Sequence, residues 1–406
     1  MSNYKILINI TGSIAAYKSA YLISKLVQSS YEVEVAATES ALKFIGTATI
    51  EGLTGKPVHT DSFEPGRMMS HIDLTKWADL TITVPADANT INKFANGIAD
   101  NLITSLFLAH DREKPYLIAP AMNTLMYQHP ATQESLEKLS NWGITVLPTD
   151  SGYLACGDAG EGKLLDTDLI FGHICHQLHK SKSENKKVLI TGGGTIENID
   201  GMRSISNVSS GRTAVTIAEH FYLNGDDVTL LLSESAVKPQ YGLNIIPFTS
   251  FESLHSNLKS ELVANKYDVV IHAAAVSDYS PVGIEANGSE LEIPMDKKLD
   301  SSSDTIKVIL KKNIKLVNII RDWSNNDELK LVAFKFLDNK ENERKENEIK
   351  KLFDNSEADT IVFNALSSRI KDVQQSFEII QHKGNVSTAE TVNDLADILL
   401  KQWRKK

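Results

Sequence analysis

The sequence predicts an α/β protein made of two doubly wound, three-layer α/β/α domains. Short apolar strands alternate with amphipathic helices along most of the chain, which is the pattern of parallel sheets with crossover helices. A strand that runs into a turn of small residues occurs at Lys5–Ser13 and again at Lys187–Thr195. The run Lys180–Lys187 has no apolar residue. We therefore expect a first domain over 1–179, a linker over 180–187 and a second domain over 188–406.

Composition narrows the class of protein. At 406 residues the chain is long enough for two or three domains with cores of their own. Its formal net charge of −10 provides no general attraction for nucleic acid or an anionic membrane. The two cysteines, Cys156 and Cys175, cannot form a disulfide framework, and the first residues do not form a signal peptide. We expect a cytoplasmic protein with neither nucleic-acid nor membrane partners.

Four predicted strands of the first half each end in a turn of small or polar residues. Because the carboxyl ends of parallel strands share one edge of the sheet, these turns are expected to line a ligand site. Such a turn before a helix N-terminus binds anions, although a tight turn without a ligand remains the alternative at Thr11–Ser13. The lack of a GxGxxG motif disfavours a dinucleotide site. The strands and turns are Lys5–Ile10 with Thr11–Ser13, Glu32–Ala37 with Thr38–Ser40, Leu80–Val84 with Pro85–Thr90, and Tyr116–Ala119 with Pro120–Asn123. The helices expected between them are Ile14–Ser29 and one that runs from the Pro85–Thr90 turn through Asn101.

Three further residues of the first half are candidates for chemistry. Asn123 follows a strand end, where its amide can hold a carboxylate, with a plain turn asparagine as the alternative. His71 is expected in a loop over Arg67–Asp73, where a lone histidine is usually structural. Ser151–Leu165 contains too many turn-forming residues for a helix and is expected to be a mobile flap. It carries Cys156, whose place in an exposed loop favours a reactive thiol over an inert buried one.

The segment Phe171–His179 superficially resembles a metal site. It places His173, Cys175, His176 and His179 at helical spacing. Cys175 lies off the face of His173, and no fourth ligand is nearby, so we favour a solvated helix end over a metal site.

The second half repeats the pattern of strands with polar ends. Gly192–Gly194 follows its first strand, and three glycines permit close approach of the backbone to a phosphate. Ser209, Ser210 and Gly211 open an amphipathic helix and form a second candidate anion cradle. Asp278 follows another strand. The predicted strands are Val188–Ile190, Val228–Leu232, Val269–His272 and Leu331–Phe336, and the predicted helices are Thr213–Leu223 and a charged surface helix at Asn339–Phe353.

Eight short motifs occur in one order along the chain. Each is weak alone, but together, with a linker between the fifth and the sixth, they are specific. The chain closely resembles the bifunctional enzymes of coenzyme A biosynthesis, in which a phosphopantothenoylcysteine decarboxylase is fused to a phosphopantothenate–cysteine ligase. The motifs are GSIAAYK (Gly12–Lys18), HIDL (His71–Leu74), ADANTINKFANGIADNL (Ala86–Leu102), PAMNTLM (Pro120–Met126), ACGDAGEGK (Ala155–Lys163), GGGT (Gly192–Thr195), ISNVSSG (Ile205–Gly211) and AAAVSDY (Ala273–Tyr279).

For the first half, the resemblance implies a flavodoxin-like flavoprotein domain that binds FMN. Loss of CO2 from a cysteine amide needs an electron sink, which the flavin of this family provides by oxidising the substrate thiol. The resemblance makes His71 the base, Asn123 the residue that holds the substrate carboxylate, and Cys156 the proton donor, with Met126 lining the site. Lys163 replaces the arginine common in the family, which keeps the charge but loses the bidentate fork. The residues implied to bind FMN are Gly12, Ser13, Ile14, Thr38, Ser40, Ala86, Asp87, Asn89 and Thr90.

For the second half, the resemblance implies a Rossmann-like ligase domain. This family activates 4′-phosphopantothenate with a nucleoside triphosphate, usually CTP in bacteria, to an acyl-nucleotidylate that cysteine then attacks. Asn207 is implied to hold this intermediate, Lys298 to neutralise the triphosphate, and Asp278 to meet the nucleotide or its Mg2+. Ser209, Ser210 and Gly211 are implied to bind a phosphate of the substrate. The residues implied to bind the nucleotide are Gly192, Gly193, Gly194, Ala273, Ala274, Ala275, Asp278, Lys298, Ile314, Lys315, Leu316, Val317 and Phe334.

The ligase half departs from the family pattern in three places. The family's Lys-Ile-Lys-Lys run matches Lys297–Asp300 only loosely, and the alignment favours Lys298 over Lys297. A bacterial Gly-Phe-Ala-Ala-Glu-Thr motif is replaced by Ala333–Asp338, closer to eukaryotic ligases, which leaves ATP as the alternative to CTP. Among the lysines of the charged helix, Lys350 and Lys351 are both candidates for the nucleotide site.

Two other functions remain as alternatives. The chain could be a flavoprotein decarboxylase for another cysteine-containing substrate, or a regulatory binding subunit with a degenerate ligase half. The ligase-like half argues against the first alternative, and the presence of both Cys156 and Lys298 argues against the second. The resemblance also implies a homo-oligomer, with a trimeric decarboxylase and a dimeric ligase combined in a dodecamer.

Overall fold

The computed structural model of the chain describes residues 4–60, 69–153, 159–181, 185–286, 289–293, 305–337, 342–365, 369–370, 373–374, 376–382 and 384–404. The chain forms two compact units, Met1–Ser183 and Glu184–Lys406, here called unit 1 and unit 2. The division between them falls inside the expected linker, 180–187. In the part of the chain that the structure describes, no helix has the length and apolar character to cross a membrane.

Unit 1 is built from alternating strands and helices. A 3-10 turn, Ala41–Lys43, also occurs between its second strand and second helix. The elements are β1 (Lys5–Ile10), α1 (Ala16–Gln28), β2 (Glu32–Ala37), α2 (Thr47–Thr54), α3 (Ser70–Trp77), β3 (Leu80–Ala86), α4 (Ala88–Asn96), α5 (Leu102–Leu108), β4 (Tyr116–Pro120), α6 (Thr124–Gln128), α7 (Pro130–Asn141), β5 (Thr145–Val146), β6 (Asp150–Tyr153), β7 (Ala159–Lys163) and α8 (Thr167–Lys180).

The main sheet of unit 1 has five parallel strands in the order β2-β1-β3-β4-β5. All seven residues of β3 and five of the six residues of β1 are buried, as in a sheet covered on both faces. The doubly wound parallel fold predicted from the sequence is confirmed. Because the four predicted strands are parallel neighbours, the turns after them lie along one edge, as expected. Strands β6 and β7 form a separate antiparallel hairpin.

Two local predictions for unit 1 were wrong. His71 lies in helix α3 and not in a loop, because Leu74 of the same helix is buried in the core and anchors it against the sheet. The helix expected to run through Asn101 is broken into α4 and α5. It ends at Gly97, whose φ of 67° terminates the helix, and a reciprocal cap between Asn101 and Thr104 starts the next one.

The prediction for the histidine-containing helix was also wrong. The face of α8 that carries Cys175 and His176 is buried in unit 1 and is not solvated. The Cys175 thiol lies 3.3 Å from the Tyr31 hydroxyl, and burial raises its pKa to about 11. Among the described residues there is no cluster of His, Cys, Asp and Glu suited to a metal ion. The burial of this face accounts for the positions of Cys175 and His176.

Unit 2 continues the alternation but adds antiparallel strands. A second 3-10 turn occurs at Leu316–Asn318. The elements are β8 (Lys187–Gly192), β9 (Ile196–Asn198), β10 (Ser204–Ser206), α9 (Arg212–Leu223), β11 (Asp227–Ser233), β12 (Asn244–Phe248), α10 (Phe251–Ala264), β13 (Val269–His272), β14 (Tyr279–Ala286), β15 (Ser289–Glu292), β16 (Ile306–Lys312), α11 (Ile320–Trp323), β17 (Lys330–Leu337), α12 (Asn342–Ser356), β18 (Thr360–Ala365), β19 (Arg369–Ile370), β20 (Val373–Gln374), β21 (Phe377–Gln381), β22 (Val386–Ala389) and α13 (Val392–Trp403).

The main sheet of unit 2 has eight strands in the order β12-β11-β8-β13-β17-β18-β21-β22. The first six are parallel, and β21 and β22 extend the sheet in antiparallel fashion. Strands β15, β14 and β16 form a small antiparallel sheet of their own. The predicted parallel core is therefore present, with an antiparallel edge that the sequence pattern did not reveal.

Helix α9 packs directly onto strand β8 at Gly192. A Cβ atom at Gly192 would lie 2.3 Å from the Cβ of Ala214, so only glycine allows this approach. The next glycine, Gly193, has a φ of 89°, and a Cβ there would lie 2.5 Å from the Cβ of Ser233. At Gly194 a Cβ would lie 2.4 Å from the Asn207 carbonyl oxygen. The three glycines are therefore required by packing.

We predict that Gly192→Ala destabilises unit 2, and that Ala214→Gly relieves the effect. The new methyl group meets the Ala214 methyl in a closely packed site, and overpacking of this kind costs about 1–3 kcal/mol. Denaturant unfolding of both single variants and the double variant measures the coupling. The double variant should be less destabilised than the sum of the single ones. Additive effects would show that the two methyl groups do not meet.

Candidate active sites

Three strand ends of unit 1 converge around Gly12. A Cβ atom at this position would lie 2.4 Å from the Ser40 hydroxyl oxygen and 3.4 Å from Asp87 Oδ2. The turns after β1, β2 and β3 therefore meet at one point, and a side chain at Gly12 would collide with Ser40. The missing side chain lets these turns approach one another closely.

Hydrogen bonds hold these turns in place. The Thr11 hydroxyl donates to the Pro85 carbonyl oxygen (2.8 Å) and accepts from the Asp87 amide (2.9 Å). The Asp87 carboxylate in turn accepts from the Thr90 amide (2.7 Å) and caps α4. The hydroxyls of Thr38 and Ser40 lie 3.0 Å apart. The turns after β1 and β3 are thus rigidly joined.

The remaining residues implied to bind FMN occupy the same turns. The Ser13 hydroxyl accepts from the Ala15 amide (3.3 Å) at the start of α1, and Ile14 is exposed beside it. Ala86 is buried at the end of β3, whereas Asn89 is exposed in the first turn of α4. Helix α1 has no acidic residue in its first turn and no side-chain cap, so its N-terminal amides favour an anion.

Asn123 caps the short helix α6. Its side-chain oxygen accepts from the Leu125 amide (2.8 Å), which fixes the orientation of the side-chain amide. The side chains of Leu125 and Met126, which lie in the same helix, are both exposed. The turn after β4 therefore presents an oriented amide beside exposed apolar side chains.

The hairpin β6–β7 docks onto the Asn123 turn. The Met122 amide donates to the Gly162 carbonyl oxygen (2.9 Å), and the Thr124 hydroxyl donates to the Glu161 carbonyl oxygen (2.8 Å). The segment that connects the two strands contains Cys156, which lies outside the described residues. The stretch predicted to be a flap thus has hairpin flanks that are bonded to the turn carrying Asn123.

His71 lies on the first turn of α3. Its side chain is partly buried, and Nδ1 has no hydrogen-bond partner among the described residues. An imidazole nitrogen in this state is available to a ligand, since a buried polar atom without a partner is costly. Sequence reasoning selected the residue but placed it in the wrong element.

Unit 2 contains a cavity of about 920 Å³ at the carboxyl ends of its parallel strands. Two segments from the sequence motifs, Asn207–Gly211 and Ala273–Asp278, meet there, together with the 3-10 turn and the end of β17. Most of the residues predicted for the ligase site line this cavity. They are Asn207, Ser209, Ser210, Gly211, Ala273, Ala274, Ala275, Asp278, Ile314, Lys315, Leu316, Val317 and Phe334.

Hydrogen bonds tie the motifs around the cavity together. The Asn207 side-chain amide donates to the Ala275 carbonyl oxygen (3.1 Å). Asp278 forms an ion pair with Lys315, and the Asn313 amide donates to the Asp278 carbonyl oxygen (2.9 Å). The buried Glu197 carboxylate accepts from the Ser280 hydroxyl (3.0 Å), just beyond Asp278. The polar side of the cavity is therefore a connected network.

Two sets of predicted residues do not line the cavity. Gly192, Gly193 and Gly194 are buried in the packing of β8, α9 and the Asn207 loop, as described above. A glycine run predicts close backbone approach, but the sequence does not say whether a ligand or another part of the chain makes that approach. Lys297 and Lys298 lie outside the described residues.

Lys335, Glu348 and Lys351 form a charged cluster on the cavity wall, and of these the sequence predicted only Lys351. Lys335 of β17 lies 2.6 Å from one oxygen of Glu348 on α12, and Lys351 lies 3.4 Å from the other. The Lys335 ammonium holds the pKa of Glu348 below its usual value. Of the two lysines proposed from the sequence, Lys351 lines the cavity, whereas Lys350 lines a separate groove on the surface of unit 2. The three-residue spacing of Glu348 and Lys351 could have favoured Lys351.

His272 also lines the cavity and was missed by sequence reasoning. It ends the apolar strand β13, so it was assigned to a buried strand. Its Nδ1 lies 2.9 Å from the Thr191 hydroxyl, and burial lowers its pKa to about 4. A histidine at the carboxyl end of a buried strand is the signal that could have identified it.

Comparison with known proteins follows the same division of the chain. Residues 1–179 match the family described as Flavoprotein, and residues 183–405 match the family described as DNA/pantothenate metabolism flavoprotein C-terminal domain. One solved structure, a cysteine-to-serine mutant of a PPC decarboxylase complexed with pantothenoylaminoethenethiol, is 34% identical. The match covers 42% of this chain and 96% of that chain, with a TM-score of 0.39.

Two curated relatives extend over both units. The coenzyme A biosynthesis bifunctional protein CoaBC of Vibrio vulnificus is 35% identical over 329 residues, 80% of this chain and 79% of that protein. The protein of the same name from Bacillus subtilis is 38% identical over 288 residues, 69% of this chain and 70% of that protein. The chain therefore belongs to the family of the coenzyme A biosynthesis bifunctional proteins.

Proposed function

We propose that the chain catalyses two consecutive steps of coenzyme A biosynthesis. Membership of the family makes it an enzyme of this pathway with a decarboxylase half and a ligase half. In our proposal, unit 2 joins 4′-phosphopantothenate to cysteine with a nucleoside triphosphate, and unit 1 decarboxylates the product to 4′-phosphopantetheine. The observation that supports this best is the meeting of separate sequence motifs in one cavity of about 920 Å³.

The turns around Gly12 fit FMN. The turns after β1, β2 and β3, which carry the residues implied to bind FMN, meet at Gly12, where a Cβ would lie 2.4 Å from the Ser40 hydroxyl oxygen and 3.4 Å from Asp87 Oδ2. When bound there, FMN supplies the electron sink that loss of CO2 from a cysteine amide requires. The residues that would hold it are Gly12, Ser13, Ile14, Thr38, Ser40, Ala86, Asp87, Asn89 and Thr90.

We assign a separate role in the decarboxylation to each of four side chains of unit 1. Asn123, oriented by its bond to the Leu125 amide, holds the substrate carboxylate through its amide nitrogen. His71 accepts a proton from the substrate, which its buried, unbonded Nδ1 supports. Cys156 returns a proton to the product, and the docking of its hairpin on the Asn123 turn supports this role. Met126 covers the apolar part of the substrate.

In unit 2 we assign CTP as the nucleotide, with ATP as the alternative. Asp278, which is paired with Lys315, would bind the nucleotide or its Mg2+, and the metal would supply positive charge to the triphosphate. Lys315 and Lys298 then neutralise charge on the triphosphate. Asn207 holds the acyl-nucleotidylate, and Ser209, Ser210 and Gly211 bind a phosphate at the start of α9. The buried glycines Gly192–Gly194 let α9 and the Asn207 loop pack closely on β8 beside this site.

We further propose a cytoplasmic homo-oligomer, with trimers of the decarboxylase half and dimers of the ligase half combined in a dodecamer. Exposed aromatic and aliphatic side chains on unit 1 support such contacts, because large apolar groups in water favour association. They include Tyr17, Tyr21, Leu125 and Tyr153.

We predict that Cys156→Ser separates the two activities. With 4′-phosphopantothenate, cysteine, Mg2+ and CTP, the variant should release pyrophosphate at the wild-type rate. Steady-state CO2 release should fall by roughly a factor of 100 or more, as expected when the general acid that completes each turnover is lost. Mass spectrometry should then show accumulation of 4′-phosphopantothenoylcysteine.

Cys175→Ser is the matched control for this experiment. It removes the other cysteine thiol of the chain, which is buried against Tyr31, and both activities should persist. Equal loss of CO2 release in both variants would contradict a specific role for Cys156. Pyrophosphate release that falls together with CO2 release in Cys156→Ser would contradict the separation of the two halves.

We predict that Gly12→Ala purifies with little bound flavin. The added methyl group would lie 2.4 Å from the Ser40 hydroxyl oxygen and would displace the turn that carries Ser40, which we place in the FMN site. Gly46→Ala is the control, because no atom lies within 4 Å of a Cβ at that position. The flavin content per chain, measured by absorbance after denaturation, should fall only in Gly12→Ala. A full complement of flavin in that variant would move the FMN site elsewhere.

A further inference from the structure

His272 is a polar residue of the cavity wall that is almost completely buried. Only 8% of its surface is exposed, yet it forms part of the wall of the cavity in unit 2. It ends strand β13 and pairs in register with Thr191 of the neighbouring strand β8. Its position is therefore fixed by the sheet and not by a loop.

The hydrogen bonds around Thr191 determine which nitrogen of His272 carries the proton. The Ala274 amide donates to the Thr191 hydroxyl oxygen (3.2 Å), and His272 Nδ1 lies 2.9 Å from the same oxygen. The Thr191 hydroxyl has one proton to donate, and among the described residues Nδ1 of His272 is the acceptor within reach of it. We therefore assign the imidazole the neutral tautomer with its proton on Nε2, which satisfies both groups.

The Nε2–H group of His272 is available to a ligand in the cavity. No residue in the described part of the chain forms a hydrogen bond with this nitrogen, which lies on the opposite side of the ring from Thr191. Burial holds the pKa of the imidazole at about 4, so the ring stays neutral near pH 7. His272 thus offers a single hydrogen-bond donor of fixed direction.

The start of helix α9 lies in the same region. Gly192 follows Thr191 in β8, and the first turn of α9 packs on it through Ala214. Residues 211–214 line the same cavity as His272. Helix α9 has no acidic residue in its first turn and no side-chain cap, so its N-terminal amides also point to an anionic ligand.

We propose that His272 contacts the substrate in the ligation reaction, donating from Nε2 to a phosphoryl oxygen held at the start of α9. This inference rests on the proposed ligase function. The phosphoryl group belongs either to 4′-phosphopantothenate or to the nucleoside triphosphate, which share this chemistry. Thr191 is then a positioning residue, because its hydroxyl sets the tautomer that makes the donor available.

Kinetics of His272→Leu and His272→Gln test the proposal. Leucine removes the donor, whereas the glutamine amide places a donor near the former Nε2. Loss of a hydrogen bond to a charged group should raise the KM of one phosphate-bearing substrate roughly tenfold in the leucine variant. The substrate whose KM rises identifies the phosphate, and glutamine should restore most of the effect. CO2 release from supplied 4′-phosphopantothenoylcysteine reports on the intact decarboxylase half of each variant.

Thr191 provides an independent variant. Thr191→Val leaves His272 Nδ1 without its donor and should raise the same KM, whereas Thr191→Ser keeps the hydroxyl and should not. Unchanged KM values in His272→Leu would overturn the proposal. Equal impairment of His272→Leu and His272→Gln in kcat and in every KM would also overturn it, because that result indicates a purely structural role.

A binding measurement separates this inference from the proposed function. If the wild-type chain releases no pyrophosphate with either nucleotide, the ligase assignment fails. Calorimetry with inorganic pyrophosphate as the probe then decides the role of His272. A loss of affinity of about tenfold in His272→Leu, restored by glutamine, would support an anion contact. Equal affinity of the wild-type chain and His272→Leu would contradict it.

Discussion

Parallel pairing of strands is the constraint on which both candidate sites depend. In unit 1 the neighbours β2, β1, β3 and β4 all end at one edge, so the turns after them meet around Gly12 and beside Asn123. In unit 2 the carboxyl ends of the parallel neighbours β13 and β17 line the cavity, together with the start of α9, which packs on β8. An antiparallel pairing would send alternate turns to opposite edges and would separate these residues. The chemistry of each unit is therefore a consequence of strand direction.

Close approach of backbone and side chain is the second feature that the two units share. Gly12 leaves space for Ser40 in the turns where we place FMN, and Gly192 and Gly194 leave space for Ala214 and for the carbonyl oxygen of Asn207. In both units, glycine lets chain segments that we assign to the sites approach one another. In unit 2 this packing brings the start of α9 and the Asn207 loop over the strands that carry the cavity.

Strand positions and the main site segments could be predicted from the sequence, since buried parallel strands are apolar runs that end in turn-forming residues. The bounds of β1, β2 and β13 agree with the prediction. The sequence could not reveal properties that depend on tertiary packing. Burial of Leu74 holds His71 in a helix, and burial of one face of α8 encloses Cys175. The Ala214 methyl group packs against Gly192. The sequence did not identify His272 as a cavity residue, because strand periodicity does not distinguish a core histidine from one at a cavity wall.

The central claim is that one chain performs ligation and decarboxylation in sequence. A one-pot assay with purified protein, 4′-phosphopantothenate, cysteine and Mg2+ tests it most directly, with CTP or ATP supplied separately and pyrophosphate, CO2 and bound flavin followed together. We expect pyrophosphate to appear first with CTP, followed by an equal amount of CO2 and by 4′-phosphopantetheine. Flavin-containing protein that releases no pyrophosphate with either nucleotide would contradict the claim for unit 2. Pyrophosphate without CO2 would contradict it for unit 1.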